Sequence, residues 1–323
     1  MLYLSHQDIL KLPVNWAELI ESIATACHAL AADDFCQPIK PYVTFENSPN
    51  RIIAMPAFIG GEVNSAGVKW IASFPNNIEY GIARAQSVTI LNNAQTGVPE
   101  TIINTSLVSA LRTAAVTGLV IREYLEAKPV LSNLKLGVVG FGVIAQTHLE
   151  MLAALFSDSI SEVRVFDPRG VDLSKVPEAL QNKVSSVSSW QESFEDIDMF
   201  ITATTSAKGY IDAKAKPGSL HLNVSLRDYV PAFCKQVDVM LVDNWEEICR
   251  HNTDIENMHL AGLLNKSATI DLPSLISKQL FNSLKSDDIV MFNPMGMAVF
   301  DLATGVYVKD LAEEKSIGTL LEQ

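Results

Sequence analysis

Apolar positions along the chain change period partway through. Trp16, Leu19, Ile20, Ile23, Cys27 and Leu30 recur at helical spacing behind Asn15-Trp-Ala-Glu18, which resembles a capping box, so a first helix is expected over about 16–32. β-rich runs follow at 51–58, 67–73, 86–91 and 98–103, punctuated by Gly60-Gly61, Pro75-Asn-Asn and Asn92-Asn-Ala-Gln-Thr-Gly97. They predict an antiparallel sheet with hairpins. A long helix is expected over 106–126, with Leu107, Leu111, Ala114, Ala115, Gly118 and Ile121 on one side.

Beyond it the pattern becomes short apolar runs at 136–139, 163–166, 199–203, 220–224, 239–242 and 289–292, separated by helix-length segments. This alternation predicts an α/β fold with a doubly wound parallel sheet. The stretch 245–264 reads as a polar, partly helical connection, and 298–311 as a helix returning to the first domain. Two domains are therefore expected: 1–115 with 296–323, and 116–295 inserted between them.

Composition narrows the function. A net charge of −13 argues against nucleic acid or an anionic membrane as partner, since either calls for a basic face. Cys27, Cys36, Cys234 and Cys249 show no metal-binding or redox spacing, and the N-terminus has no signal-like apolar core, which fits a reducing cytoplasm. No apolar stretch reaches the roughly 18 residues that a membrane span needs. His251 and His259 lack metal spacing, no metal site is expected, and His28 and His221 read as packing residues.

The stretch Lys135-Leu-Gly-Val-Val-Gly140-Phe-Gly142-Val143-Ile144-Ala145-Gln runs from a strand through a glycine turn into a helix. Such a turn lets backbone N–H groups and the helix N-terminus meet a pyrophosphate. Asp167 ends the next predicted strand, where a carboxylate accepts from ribose hydroxyls and repels a 2′-phosphate, so NAD is favoured over NADP. Asp167-Pro168 also suits a plain turn, and Arg164 and Arg169 stand nearby. Thr202-Ala-Thr204-Thr205-Ser206 is a small polar strand end that lies along a cofactor or simply leaves the sheet.

Three cations stand where propensity does not place them: Arg51 at a strand start, Lys69 inside a strand, and Arg112 among Val108, Ala115 and Val116 on a helix. Taken alone, Lys69 fits an edge strand facing water. Arg112 must snorkel or find a bidentate carboxylate. In so acidic a chain these cations suit a small carboxylate-bearing substrate. Asp228 follows the fourth parallel run at the carboxyl edge and suits a general base, unless Arg227 pairs with it.

Arg51-Ile-Ile-Ala-Met-Pro56, Gly67-Val-Lys69-Trp, Leu111-Arg112-Thr-Ala-Ala, Gly140-x-Gly142-x-x-Ala145 and Asn293-Pro-Met-Gly296-Met-Ala together resemble the ornithine cyclodeaminase/mu-crystallin family over nearly the whole chain. The resemblance implies a Rossmann domain inserted in a discontinuous α+β substrate and dimerisation domain, and hence a homodimer. It assigns Arg51 and Arg112 to substrate carboxylates, Lys69 to the reacting centre and Asp228 to water or proton handling. Cofactor contacts are expected from Gly140, Gly142, Val143, Ile144 and Ala145, and further from Asp167, Thr204, Thr205, Ser225 and Gly296.

Within the family, Gln37-Pro-Ile-Lys40-Pro-Tyr42 and Ile59-Gly-Gly are similar to a siderophore-pathway branch. That branch oxidises N-(2-amino-2-carboxyethyl)-L-glutamate with NAD and releases 2-oxoglutarate and L-2,3-diaminopropionate. A substrate with three carboxylates implies a further cation, for which Lys40 is the candidate.

Overall fold

The computed structural model describes residues 1–128 and 133–322. It divides into two compact units, Met1–Arg112 with Gly296–Gln323 and Thr113–Met295, with one division falling inside the helix Leu107–Ala127.

The first unit is built on an 8-stranded sheet. Arg51–Ile59, Ser65–Ser73, Ala85–Asn93 and Pro99–Asn104 form its antiparallel centre, as the hairpin signals predict. Leu2–Ser5 adds to Pro99–Asn104 in parallel. Met55, Ala57 and Ile59 alternate inward on one strand, and Ser87, Thr89 and Leu91 on another. That period of two is the pleat, with one face on the core. The helices Trp16–Ala31 and Ala298–Glu314 pack together, and the latter lies against three of the central strands.

All six residues of the predicted stripe from Trp16 to Leu30 are buried, so the period of 3.6 reads true. The cap differs from a reciprocal box. Asn15 Oδ1 accepts from the Ala17 and Glu18 amides, but Glu18 receives the Asn15 side-chain amide, and the Asn15 backbone N–H donates to Tyr307 Oη. His28, expected to pack, is exposed on the outer face of this helix.

The second unit carries an 8-stranded, all-parallel sheet in the order Val184–Ser186, Ile160–Phe166, Leu134–Val139, Met199–Thr202, Leu220–Asn223, Val290–Asn293, Val239–Val242 and Thr269–Asp271. The six predicted runs are its six central strands. The chain winds outward from Leu134–Val139 in one direction and returns to its other side with Met199–Thr202. That reversal is the topological switch point, and ligands of open α/β sheets bind at the carboxyl edge there. The connection read as partly helical contains the helices Trp245–Ile248 and Asp254–Leu260.

Candidate active site

In the first unit, Lys69 lies at the middle of Ser65–Ser73, opposite Met55 on one side and Thr89 on the other. Its strand is interior, not an edge facing water, and the side chain is buried. Nζ lies 2.7 Å from Asp301 Oδ2 and donates to Ser109 Oγ at 3.3 Å. Arg112 is also buried and donates from Nε to Asp301 Oδ1 at 2.8 Å. The carboxylate that Arg112 calls for is thus supplied by the chain itself. Asp301 sits in the first turn of Ala298–Glu314, 1% exposed.

Lys40 is buried beside them, with Nζ donating to the Gly296 carbonyl at 2.8 Å. Gly296 has φ +87, and a Cβ there would lie 2.7 Å from Arg112 Nη1. Only glycine suits both the left-handed backbone and the guanidinium lying against it. The structure therefore places Gly296 in the cationic cluster. Burial lowers the Lys69 pKa to about 8, with Asp301 opposing and Arg112 and Lys40 adding to the fall. Burial raises the Asp301 carboxyl, but the Arg112 and Lys69 charges outweigh it and hold Asp301 below the usual range.

Arg51 is not brought to this cluster by strand register. It pairs with Ser73, four residues along from Lys69, which is roughly 13 Å of strand. Its Nε is buried without a hydrogen-bond partner among the described residues.

In the second unit, Gly140 ends Leu134–Val139 with φ +90 and its N–H donates to the Phe166 carbonyl at 2.8 Å. A Cβ there would lie 2.4 Å from the Ala203 carbonyl, so glycine lets the two switch-point strands close up. Gly142 caps Val143–Phe156 without any side-chain bond, and a Cβ on it would meet open space. Val143 is 62% exposed at the start of this helix, while Ala145 is fully buried. A helix end with unfilled N–H groups and an open cradle fits a pyrophosphate.

Asp167 is buried at the end of Ile160–Phe166, where Oδ2 accepts from the Phe141 amide and Oδ1 from the Arg169 amide, both at 2.8 Å. The Arg169 guanidinium reaches both oxygens at 3.3 Å. Burial alone would raise this carboxyl, but the bonds from Arg169 and Phe141 bring it below its usual value. The carboxylate thus anchors the glycine turn, and a ribose diol would have to share it with Arg169.

Asp228 is fully buried and accepts from the hydroxyls of Thr204 and Ser225. Those two residues, expected along the cofactor, use their hydroxyls on this carboxylate; Thr205 is exposed. Arg227 donates to the His251 carbonyl. His221 is buried, as expected, and burial lowers its pKa to about 3. Ser219 Oγ donates to the Lys216 carbonyl, so His221 Nε2–H donates to Ser219 and Tyr229 Oη–H donates to Nδ1.

Sequence reasoning missed Asp301 and Asp254. Each is a carboxylate at the start of a helix whose neighbours are largely buried. The signal that singled out Arg112, a charge on an apolar face, was available for Asp301 between Phe300 and Leu302. Among the described residues no group of three or more His, Cys, Asp or Glu could hold a metal ion, and no helix is long and apolar enough to cross a membrane.

A doubly wound sheet with a glycine turn at its switch point, in a chain whose other unit buries clustered cations, defines a dinucleotide-fold protein equipped for an anionic ligand. The chain belongs to the ornithine cyclodeaminase/mu-crystallin family, whose model matches residues 4–316. It is 30% identical to the N-((2S)-2-amino-2-carboxyethyl)-L-glutamate dehydrogenase of Staphylococcus aureus, over 99% of this chain and 98% of that one. The Thermococcus litoralis Delta(1)-pyrroline-2-carboxylate reductase, solved with NADH and L-proline, shares the fold at TM-score 0.87 and 23% identity, covering 99% of this chain and 100% of that one. An archaeal alanine dehydrogenase dimer with bound NAD shares it at TM-score 0.85 and 22% identity, over 100% and 99% of the two chains.

Proposed function

We propose that the protein is an NAD-dependent oxidoreductase that oxidises the carbon–nitrogen bond of N-(2-amino-2-carboxyethyl)-L-glutamate and hydrolyses the product to 2-oxoglutarate and L-2,3-diaminopropionate. The observation that carries this reading is an imbalance of buried charge. Lys69 and Arg112 are buried on one carboxylate, Asp301, and Lys40 is buried beside them on the Gly296 carbonyl. Unmatched buried charge costs several kcal/mol, which a ligand's carboxylates relieve. Arg112 and Lys40 bind carboxylates of the substrate, and Arg51, with its unpaired Nε, takes another.

NAD, when bound at the Gly140 to Ala145 turn, supplies the hydride acceptor. Neutral Lys69 takes a proton from the substrate's secondary ammonium, which frees the nitrogen lone pair to form the C=N bond as the glutamyl Cα–H gives up its hydride. Asp228, oriented by the hydroxyls of Thr204 and Ser225, takes a proton from the water whose oxygen adds to the imine carbon. Lys69 returns its proton to the nitrogen, the carbon–nitrogen bond breaks as the hydroxyl oxygen becomes the ketone oxygen, and the hydroxyl proton leaves with the amine.

Similarity to the Staphylococcus aureus enzyme over nearly both full lengths supports this substrate. The alternatives within the family are ornithine or lysine cyclodeamination, alanine dehydrogenation and cyclic ketimine reduction. Ornithine, lysine and alanine each carry one carboxylate and so offer the cations of the first unit less charge to meet. A non-catalytic nucleotide and small-ligand binder is the remaining alternative and predicts no turnover. Assembly as a homodimer, a cytoplasmic location and supply of a siderophore precursor belong to the same proposal.

The test is product analysis with NAD. One NADH and one 2-oxoglutarate should appear per glutamate conjugate consumed, and ornithine should give no accumulation of NADH. A flat trace with the conjugate rejects the reading.

A further inference from the structure

Asp228 stands on a turn that the chain does not hold by itself. Leu226 has φ +63, a left-handed conformation that a branched side chain adopts at a cost of order 1–3 kcal/mol, so something around it must compensate. The compensation comes from Asp254, 1% exposed at the start of Asp254–Leu260. Its Oδ2 accepts from the backbone N–H of Asp228 at 3.0 Å, from that of Tyr229 at 3.1 Å, and from Asn223 Nδ2 at 3.0 Å. Its own N–H donates to the Leu226 carbonyl at 2.8 Å. The turn is thus gripped on both its donor and its acceptor side by one residue.

Asn223 ties this grip to the sheet. Its Oδ1 accepts from Thr202 Oγ1 and from the Leu226 amide, both at 3.1 Å, and its Nδ2 also donates to Asn293 Oδ1 at 2.8 Å. Asn293 in turn donates to the Leu241 carbonyl at 3.1 Å. The carboxyl ends of Met199–Thr202, Leu220–Asn223, Val290–Asn293 and Val239–Val242 are therefore linked by one buried polar chain that ends at Asp254. Burial raises the Asp254 carboxyl to about 6, with the Tyr229 amide and Asn223 as the main opposing donors. A buried carboxylate residue that spends three bonds on its neighbour's turn has a positional task.

We infer that Asp254 is the positioning residue for Asp228, fixing the backbone of residues 226–229 so that the Asp228 carboxylate keeps one aim. The inference rests on the reading of Asp228 as general base. Asp254 touches no reacting atom; it acts through the Asp228 and Tyr229 amides.

The test uses the full-length protein carrying Asp254→Ala, Asp254→Asn or Asp228→Asn, assayed with the glutamate conjugate and NAD. NADH affinity by fluorescence and amide exchange over 226–230 are read in parallel. Asp254→Ala should lower kcat roughly 10- to 100-fold, the scale of a misplacement of about 1 Å, with KM and NADH affinity near wild type. Asp254→Asn should restore most of the rate, because its carbonyl oxygen accepts the same two N–H groups. The Asp228 and Tyr229 amides should exchange faster in Asp254→Ala and not in Asp254→Asn. Where Asp254→Ala does not fold, Asp254→Ser carries the same expectation, since its hydroxyl falls short of both amides.

Wild-type kcat in Asp254→Ala, an Asp254→Asn variant as slow as Asp254→Ala, or a rise in KM matching the fall in kcat would overturn the inference. Full turnover in Asp228→Asn would reject the role of Asp228, and amide exchange would still decide whether Asp254 anchors the turn.

Discussion

In the first unit two buried cations, Lys69 and Arg112, share one carboxylate with Lys40 beside them, whereas in the second a buried carboxylate, Asp228, is held by hydroxyl donors. The cations come from residues 40, 69 and 112 and the carboxylate that Lys69 and Arg112 share from residue 301, so the cluster exists only when distant segments fold together. Asp228 and its hydroxyl donors come from two neighbouring strand ends, 202–206 and 223–228, close in sequence to the sheet edge that presents them. One region gains its chemistry from long-range charge balance and the other from local edge geometry. This difference separates what substitution at each should do.

Lys69→Ala carries the largest expected effect. Loss of the group that takes the substrate's proton should lower kcat/KM roughly 10²–10⁴-fold, the range of general acid–base catalysis, while NADH binding to the second unit stays near wild type. The measurement is initial NADH formation with the glutamate conjugate together with NADH fluorescence. Intact turnover would remove Lys69 from the mechanism.

The same residue sets a pH signature. A lysine with pKa about 8 is mostly protonated at neutral pH, so kcat/KM for oxidation should rise with pH through about 8 and then level. The unfolded chain keeps this proton up to its ordinary value near 10.5, while the folded chain loses it near 8. Stability should therefore increase with pH across that window and fall again as pH drops through 8. A rate independent of pH between 7 and 9 would break the link between burial of the cluster and its chemistry.

Much of the fold could be read from periodicity, because both units use it cleanly. The alternating apolar runs mark the six central strands of the parallel sheet, and the Trp16 to Leu30 stripe marks the helix it forms. Lys69 was harder to place. Strand period alone does not tell an edge from an interior strand, and its burial follows from pairing on both sides by Arg51–Ile59 and Ala85–Asn93. Asp301 carried the same signal as Arg112, a charge on an apolar face, but its partners, like those of Asp254, were illegible for a related reason: each completes a cluster whose other members lie tens to hundreds of residues away. The grip of Arg169 on Asp167 was half legible, since both residues stood in view but only side-chain geometry shows the carboxylate already engaged.

That engagement leads to the smallest expected effect. Asp167→Ala should reduce the preference for NAD over NADP about tenfold, the worth of one charge-assisted contact, as read from the ratio of kcat/KM for the two cofactors. Equal use of both cofactors by the unmutated protein would contradict the role given to Asp167. Such a result would leave the carboxylate as an anchor for the Phe141 amide.

In the proposed reaction the cations of the first unit read the carboxylates of the substrate. The most direct measurement compares kcat/KM for the glutamate conjugate with that for analogues in which one carboxylate at a time is replaced by a carboxamide. Each replacement should cost roughly tenfold or more, because it removes the charge that a cation of the first unit meets. Carboxamide analogues turned over as well as the parent conjugate would contradict the account.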